Sequence, residues 1–444
     1  MSTPITEALP LPPIYYQSTG PLYLVQDQTG KWIGINETSA RLRIKASGFS
    51  AEAFDENHNN QVDNCVVAIQ DSQNVAYAGP LAGYQSGLHE IRRKQVLVTE
   101  SPRLLQACPG EWPLLNQILE GMLNDPQGDQ RPYLYGWLKL SLVAYRTGLW
   151  SPGQVFAFAG PVRSGKSLLQ GIITELFGGR AAKPYLYMTG RTAFNADLFG
   201  AEHLMVEDEA ESIDIRARRH FGAKIKEVAV NVDQHCHGKN KTALTLTPIW
   251  RMTMSLNDEP ERMQVLPPLD ADVADKLTLC RVRQRELPMP TETPEEKRRF
   301  REALSAELPA FMAFLEQYEI PAEMRCRRFG IVHYHHPDLV EAMDETRPET
   351  RLLSLIDQVL FAGIPNREPW VGGSIALQQL LCDGHQWLNN EARRLLCFSS
   401  ACGSYLRGIA DDPRTANRIT SRRVHGQTEW TIHAPAPVER EPGR

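Results

Sequence analysis

The chain has 444 residues, more than one hydrophobic core usually fills, so its length favours two to four domains. The net charge of −5 excludes a protein that is basic throughout, and any nucleic-acid surface must therefore be local. The eight cysteines form no C-x-x-C pair, and no run of eighteen apolar residues occurs. These features indicate reduced thiols in a cytoplasmic protein, with no membrane partner.

Residues 1–110 are predicted to form a small α+β module. The turn Asp27-Gln28-Thr29-Gly30 between two apolar runs indicates a hairpin. A short helix and four strands are expected, the helix at 39–45 and the strands at 21–25, 31–35, 62–69 and 96–99. The acidic cluster from Asp55 to Asp63 is rich in Asn, which favours a solvated loop over a metal site. Residues 1–13 lack the pattern of a signal peptide.

Two amphipathic helices are predicted next, at 112–123 and 132–147, with a turn at 125–129. The second is apolar on most sides. We therefore expect it to be buried against the following domain, as part of a helical collar over residues 111–150.

The strongest motif follows an apolar run at 155–159 and matches G-x-x-x-x-G-K-[ST], as Gly160-Pro161-Val162-Arg163-Ser164-Gly165-Lys166-Ser167. Such a loop points backbone N–H groups and a helix N-terminus at one spot, where phosphates bind. The motif predicts an ATP site, with Lys166 on the β- and γ-phosphates and Ser167 on Mg²⁺.

A second apolar strand, at 203–206, ends in three acids. A nucleotide hydrolase needs one carboxylate for Mg²⁺ and another to orient the attacking water. We assign the metal role to Asp208 and the role of general base to Glu209. Glu207 is the alternative if the register is shifted by one residue.

A third strand, at 250–258, carries a polar amide near its end. Asn257 is expected to hydrogen-bond the attacking water and the γ-phosphate, and so to sense the bound nucleotide.

Strands at 228–233 and 242–247 are predicted to form a hairpin with a basic tip. Its residues His237, Lys239 and Lys241 suit a nucleic-acid backbone. A metal site at His235-Cys236-His237 is disfavoured, because alternate strand residues face opposite ways and no second ligand pair follows.

The compact order of phosphate loop, acidic strand, basic hairpin and terminal Asn resembles a superfamily III helicase over residues 110–345. The likeness is to the phage and plasmid branch found at the C-terminal end of primase-helicases, where equivalents of Thr192-Ala193-Phe194-Asn195 and of 207–210 recur. The resemblance implies an AAA+-like P-loop α/β core at 151–290 and a homo-oligomeric ring, usually a hexamer. It also implies ATP hydrolysis between subunits and 3′-to-5′ movement on single-stranded DNA, with the hairpin tip on the DNA.

The resemblance leaves the arginine finger open. Family members place this residue in a strand after the sensor, and here Lys276 stands where the arginine is expected, with Arg281 and Arg283 further on. Either Lys276 or Arg281 neutralises charge in the neighbouring site, and a lysine would lose the bidentate fork. Only about 110 residues precede the collar, so no primase domain is expected, and a separate primase or origin-binding protein is a candidate partner.

The remaining chain is predicted to form a helical connector at 291–345, a winged helix at 346–434 and a disordered tail at 435–444. The His-rich run at 333–337 favours a structural role over a metal site. The winged helix combines helices at 351–361, 375–382 and 390–407 with strands at 417–424 and 428–432. Its residues Arg418, Arg422 and Arg423 are expected to contact phosphates of double-stranded DNA, and the alternative is a solvated edge strand.

Two function classes follow. The first is an ATP-dependent DNA helicase that starts replication of a phage, satellite or integrated element in a bacterial cell. The second is an AAA+ switch or a nucleic-acid-stimulated defence protein without unwinding activity. The hairpin tip discriminates between them, because only the helicase needs basic residues there.

Overall fold

The computed structural model of the chain describes residues 9–52, 55, 58–207, 215–239, 242–269, 272–362, 368–383 and 386–435. The chain divides into two units, the first ending at His336 and the second beginning at Pro337. The predicted winged-helix region, 346–434, lies within the second unit. None of the described helices is long and apolar enough to cross a membrane.

The first hundred residues contain two small three-stranded sheets, ordered β1-β2-β3 and β4-β6-β5. Their elements are β1 (Tyr15–Gln17), β2 (Leu22–Gln26), β3 (Trp32–Ile35), α1 (Glu37–Ala46), α2 (Gln61–Ser72), β4 (Tyr77–Gly79), β5 (Gly87–Ile91) and β6 (Lys94–Val98). The predicted hairpin is confirmed, since β2 pairs antiparallel with β3 around the turn at 27–30.

The predicted strand at 62–69 is wrong, because this stretch belongs to helix α2. Asn60 and Asp63 form a reciprocal capping box at the start of the helix. The buried residues Val62, Cys65, Val66 and Ile69 follow the three- and four-residue spacing of one helix face. Helix spacing and capping therefore outweigh the β-branched composition of this stretch.

Two predicted collar helices are confirmed as α3 (Pro113–Leu123) and α4 (Arg131–Thr147). Between them lies a two-residue ribbon of β7 (Asn124–Asp125) and β8 (Gly128–Asp129). Most of α4 is buried, and Trp137 packs on Phe156 and Phe177 while its indole N–H donates to the carbonyl of Gln154 (2.7 Å).

A five-stranded parallel sheet lies at the centre of the first unit, ordered β10-β11-β14-β9-β15. The elements of this region are β9 (Val155–Ala159), α5 (Lys166–Leu176), β10 (Ala181–Ala182), α6 (Tyr185–Met188), β11 (His203–Val206), α7 (Ile215–Val230), β12 (Gln234–Cys236), β13 (Leu244–Leu246), β14 (Arg251–Leu256), α8 (Pro260–Met263) and β15 (Leu277–Arg281). Because all five strands run in one direction, their carboxyl ends meet at one edge of the sheet.

The hairpin between β11 and β14 exists, but its first strand is β12 rather than 228–233. Residues 228–230 are the last turn of α7, in which Phe221, Ile225 and Ala229 are buried at four-residue spacing. The β-branched run at 228–232 was therefore a misleading strand signal.

Helix α9 (Pro294–Gln317) follows the sheet and begins at a capping box of Thr293 and Glu296. It packs with α3, α4 and α5 around the core that contains Phe156 and Phe158. The His-rich segment after it pairs with β15, where Leu279 exchanges hydrogen bonds with the backbone of Tyr334 (2.7 Å) and His336 (2.9 Å). No group of three potential metal ligands occurs among the described residues.

The second unit is a helical cluster with a three-stranded antiparallel sheet, ordered β16-β18-β17. Its elements are α10 (Pro337–Glu345), α11 (Pro348–Ile356), β16 (Trp370–Gly373), α12 (Ser374–Asp383), α13 (Gln386–Leu395), α14 (Ala401–Asp411), β17 (Ile419–Val424) and β18 (Gln427–Ile432). A π-helical turn at 357–361 extends α11.

The single helix predicted at 390–407 is wrong, because the chain breaks between α13 and α14. Leu396 and Ala401 are both buried in the core of the second unit. Five positions apart on one continuous helix, they would point about 140° apart. The break lets both side chains face the same core.

Candidate functional site

The phosphate loop joins β9 to α5 at the carboxyl edge of the central sheet. Gly165 caps the N-terminus of α5 in the left-handed region, with φ of 88°. A Cβ atom on Gly160 would lie 2.2 Å from the carbonyl oxygen of Val282, so only glycine fits there. Arg163 also has a positive φ, 64°, which is uncommon for a residue with a side chain. The loop therefore has the tight backbone that the motif predicts.

Lys166 lies at the centre of this loop and is buried. Its ammonium donates to the carbonyl oxygens of Gly160 and Pro161, both at 2.8 Å. It also lies 3.3 Å from Oδ1 of Asn257. The structure thus brings together two residues that the sequence separates by 91 positions.

Asn257 reaches Lys166 because of strand register. It directly follows β14, whose last residue Leu256 pairs with Ala159, the last residue of β9. Parallel neighbours that end at the same level place their next residues side by side. The predicted sensor position therefore lies at the phosphate loop.

The acidic strand β11 ends at the same edge, next to β14. Asp208 and Glu209 lie outside the described residues. Glu207 is described, and its carboxylate is 2.5 Å from the ammonium of Lys183 in a half-exposed ion pair. Ser167 is exposed on the first turn of α5, beside Lys166.

A cavity of about 260 Å³ opens beside the loop. Its walls come from the loop residues 163–165, from α3 and from the segment 285–301. Its apolar lining includes Ile118, Met122, Leu168 and Phe300. Its polar lining combines Gln117 and Thr291 with four basic residues and one acid, Arg163, Arg285, Lys297, Arg301 and Glu286. No motif indicated this cavity, because its walls are far apart in the sequence.

Buried polar side chains tie α5 to the two strands beside it. The ring of His203 on β11 contacts the hydroxyls of Thr174 (2.7 Å) and Thr253 (2.8 Å). Gln170 of α5 donates to the same Thr253 hydroxyl (3.0 Å) and to the carbonyl of Val206 (3.2 Å). Burial lowers the pKa of His203 to about 3, so the ring is neutral near pH 7.

Lys276, one candidate for the arginine-finger position, lies at the amino-terminal end of the sheet strands, the end opposite the phosphate loop. It precedes β15, whose first residue Leu277 pairs with Val155 at the start of β9. Its ammonium donates to the carbonyl of Asp272 and to the carboxylate of Asp275, both at 2.7 Å, and its side chain is 10% exposed. A residue that completes a neighbour's site must be exposed, so the structure disfavours Lys276.

Arg281, the other candidate, ends β15 opposite Ala159 and therefore lies beside its own phosphate loop. Its backbone N–H and carbonyl bind the side-chain amide of Gln130 at 2.8 Å and 2.9 Å. This position suits action within its own subunit rather than on a neighbouring one.

The hairpin β12–β13 carries the predicted nucleic-acid residues. Lys239 is exposed and His237 half-buried, whereas Lys241 lies outside the described residues. Asn195 fixes the backbone at the base of the tip, since its side chain bonds the carbonyl of His235 (2.9 Å) and the N–H of His237 (2.8 Å). The neighbouring Phe194 is 45% exposed, and its ring centroid lies 5.1 Å from that of His237.

The residues of the hairpin motif did not predict Phe194 as a contact. Phe194 is identified only as an exposed aromatic side chain beside a basic tip. The structure is needed to see this, because Phe194 and His237 belong to separate segments of the chain. The two rings and Lys239 form what we call the tip platform.

The ribbon β17–β18 in the second unit carries the residues predicted to contact duplex DNA. Arg418 is largely buried: its side chain is 17% exposed, forms an ion pair with Asp357 and donates to the carbonyl of His433 (3.0 Å). Arg422 is exposed but lies 2.6 Å from the carboxylate of Glu429, its cross-strand partner. Arg423 is exposed and forms no ion pair with any described residue. The ribbon therefore presents fewer available cations than its sequence indicates.

Comparison with known proteins adds evidence on the fold. No protein-family model matches the sequence, and no curated protein does. Among solved structures, the apo structure of the NrS-1 C-terminal region (305–718) is similar, with a TM-score of 0.52 and 12% identity over 95% of this chain and 96% of that one. The A form of that region has the same TM-score, identity and coverage.

A structure of JCV helicase is similar over 52% of this chain and 66% of that one, at 16% identity, but its TM-score of 0.25 supports no conclusion. At 12% identity, the likeness to NrS-1 shows the fold alone. The chain thus shares a mixed α/β fold with the C-terminal region of NrS-1 over nearly the whole length of both.

Proposed function

We propose that this protein is an ATP-dependent DNA helicase of the superfamily III type, which acts as a hexameric ring on single-stranded DNA. The observation that carries the proposal is the contact of Lys166 with Asn257 inside a phosphate loop, in a unit that also presents the tip platform. One element binds and senses a triphosphate, and the other offers rings and a cation to a polynucleotide.

In this proposal ATP binds with its phosphates on the loop and its nucleoside in the neighbouring cavity. Lys166 exchanges its loop carbonyl contacts for the β- and γ-phosphates. Asn257, 3.3 Å away, then lies where the γ-phosphate and the attacking water meet. The cavity of about 260 Å³ has apolar side chains that suit a base, and basic and polar side chains that suit a ribose and the phosphates next to it.

Mg²⁺ neutralises charge on the phosphates and needs few protein ligands, because it keeps much of its water shell. The exposed hydroxyl of Ser167 fits this role, and Asp208 is the proposed second ligand. Glu209 is the proposed general base that orients the attacking water.

The tip platform is proposed to hold DNA through base stacking on Phe194 and His237 and through a phosphate contact from Lys239. The second unit, with its order of helices and a three-stranded sheet, is proposed as a winged helix that binds duplex DNA. Together these features suit replication initiation of a phage, satellite or integrated element, with a separate primase or origin-binding protein as partner.

A second candidate is an AAA+ switch ATPase without unwinding activity. One observation favours it: of the two finger candidates, Lys276 is buried and Arg281 lies beside its own loop. Neither position suits the completion of a neighbouring subunit's site.

Strand displacement on a forked duplex, with ATP and Mg²⁺, tests the two candidates. The helicase displaces the strand, and the Lys166→Ala variant does not. DNA-stimulated ATP hydrolysis without displacement would favour the switch, and hydrolysis that DNA leaves unchanged would contradict the helicase.

A further inference from the structure

The turn between β5 and β6 has an unusual composition. Ile91 pairs with Lys94, so the loop contains only Arg92 and Arg93, with φ values of 52° and 60°. Both residues are exposed, as is Lys94. Three consecutive cations therefore lie at the tip of a tight hairpin, and we call them the basic turn.

The backbone of this turn does not favour arginine. Two positive φ values are the pattern of a type I′ turn, in which Asn-Gly is the preferred pair. A residue with a Cβ atom is disfavoured in the left-handed region. Turn geometry therefore gives no reason for two arginines at these positions.

The basic turn lies beside the base of the hairpin that carries the tip platform. The guanidinium of Arg92 is 2.8 Å from the carboxylate of Asp233, the residue directly before β12. This ion pair is half exposed, with side chains 52% and 44% accessible, so it contributes little to stability. It shows that the turn and the base of the hairpin are in direct contact.

The other two cations are available to a ligand. Arg93 and Lys94 form no ion pair with any described residue. Among the three cations, only Arg92 has an ion pair with a described carboxylate, that of Asp233. The basic turn therefore keeps a net positive charge at its exposed tip.

We propose that the basic turn binds the phosphates of a single DNA strand that the tip platform holds. This inference rests on the proposed function of the platform and extends it to the N-terminal module. Lys239 follows Asp233 by six positions, so the Cα atoms of these two residues are at most about 20 Å apart, and Arg92 of the basic turn contacts Asp233 directly. A strand of several nucleotides spans such a distance.

The variant Arg92→Asn with Arg93→Gly tests the proposal, because it supplies the preferred turn pair while it removes two cations. Affinity for an oligothymidylate of about 16 nucleotides should fall. The slope of log affinity against log salt should decrease by about 0.7, the value for one phosphate contact on a single strand, because Arg93 is the available cation that the variant removes and Arg92 is paired with Asp233. The melting temperature should hold or rise, since the turn loses strain. Basal ATP hydrolysis should not change. An unaltered salt slope would overturn the proposal.

Two controls separate charge at the turn from other effects. The variant Arg43→Asn with Lys45→Gln removes the same charge from exposed positions on α1 and should leave the slope unchanged. Asp233→Asn breaks the ion pair but keeps all three cations, so it should hold or raise affinity. If Asp233→Asn weakens binding as much as the turn variant, the turn is only a brace for the hairpin and the proposal fails.

A short strand of about 4 nucleotides distinguishes failure of this inference from failure of the proposed function. It reaches the tip platform alone, so Lys239→Ala should weaken its binding while the turn variant should not. Loss of binding in Lys239→Ala with no effect of the turn variant on the longer strand overturns only the inference. Absence of single-strand binding by the unaltered protein overturns the proposed function, and the inference with it.

Discussion

Two basic hairpins, β12–β13 in the first unit and β17–β18 in the second, look alike in the sequence, yet their side chains are used differently. In the first, polar contacts from Asn195 fix the backbone and leave Phe194 and Lys239 exposed. In the second, Arg418 and Arg422 are held by the carboxylates of Asp357 and Glu429. The number of basic residues in the sequence thus overstates the charge that a ligand can use, because ion pairs neutralise some of these residues.

The comparison separates two ways to stiffen a hairpin. Asn195 makes neutral hydrogen bonds to backbone groups, so no basic side chain of the hairpin is neutralised. The ribbon of the second unit uses cations for the same purpose. We therefore expect the first hairpin to give the larger effects on DNA binding and the second the larger effects on stability.

The largest expected effect concerns ATP hydrolysis, which the proposed helicase needs in order to move on DNA. Lys166→Ala removes the charge proposed to lie on the β- and γ-phosphates, and loss of one such group costs about 10²- to 10³-fold in rate. Steady-state ATP hydrolysis measures it. Binding of DNA to either hairpin should persist without nucleotide, because Lys166 contacts neither. Hydrolysis at the rate of the unaltered protein would contradict the assignment of the phosphate loop.

The next effect tests the tip platform. Phe194→Ala should weaken single-stranded DNA binding by about 5- to 150-fold, because stacking on an aromatic ring contributes about 1–3 kcal/mol per base. Fluorescence anisotropy with a labelled oligonucleotide measures the affinity. Phe398 in the second unit is a matched control, since it is 39% exposed against 45% for Phe194. Equal losses in Phe398→Ala and Phe194→Ala would show that the loss is not specific to the tip platform.

Acid should affect the two units in different pH ranges. His203 is held neutral in the first unit with a pKa of about 3, so the unfolded chain binds one more proton as pH falls below about 6.5. The first unit should then lose up to about 1.4 kcal/mol of stability per pH unit between about 6.5 and 3. In the second unit, hydrogen bonds from Arg414 lower the pKa of Asp412 to about 2. The contribution of Asp412 to the stability of the second unit is therefore complete above about pH 3.8 and is lost only below that pH.

Hydrogen exchange between pH 6.5 and 4 measures this difference separately for each unit. The peptides of β11 and β14 should lose protection first, after correction for the intrinsic exchange rate. His203→Gln, which cannot be protonated, should flatten the pH dependence of the first unit. An unchanged slope in that variant would mean that another group governs its acid sensitivity.

A smaller effect concerns the stability of the second unit. Arg418→Ala leaves the carboxylate of Asp357 without its partner, which should cost about 1–3 kcal/mol. Urea unfolding followed by the fluorescence of Trp370 and Trp430 measures it. Arg423→Ala, on the same strand but without an ion pair to described residues, is the control and should leave the midpoint unchanged. Equal midpoints in the two variants would contradict a structural role for Arg418.

Contiguous patterns predicted most of the fold. The phosphate loop, the collar helices and the ends of β11 and β14 follow from strings that can be read in order. The strand predicted at 62–69 is a helix because the capping box of Asn60 and Asp63 starts α2 there, whatever the β-branched composition of the stretch. The break between α13 and α14 failed because only packing shows that Leu396 and Ala401 share one core.

The predictable part of the site is the part set by strand ends. The sequence places Asn257 just after a buried strand, and a parallel sheet brings the ends of β9 and β14 together, so its position beside the phosphate loop is predictable. Side-chain partners were not predictable, since Asp357 lies 61 positions from Arg418. The cavity was missed for the same reason, as its walls combine α3, the phosphate loop and residues 285–301. Long-range packing determines these features, and no local spacing encodes it.

The smallest expected effect measures how much charge the ribbon keeps for duplex DNA. Arg423→Ala should lower the slope of log affinity against log salt by about 0.9, the value for one phosphate contact on a duplex. Arg422→Ala should lower it less, because Glu429 lies 2.6 Å from its guanidinium. Glu429→Gln should have the opposite sign, since it frees Arg422 for a phosphate and steepens the slope. Equal slopes for Arg422→Ala and Arg423→Ala would show that the ion pair opens on binding, and the two hairpins would then differ only in Arg418.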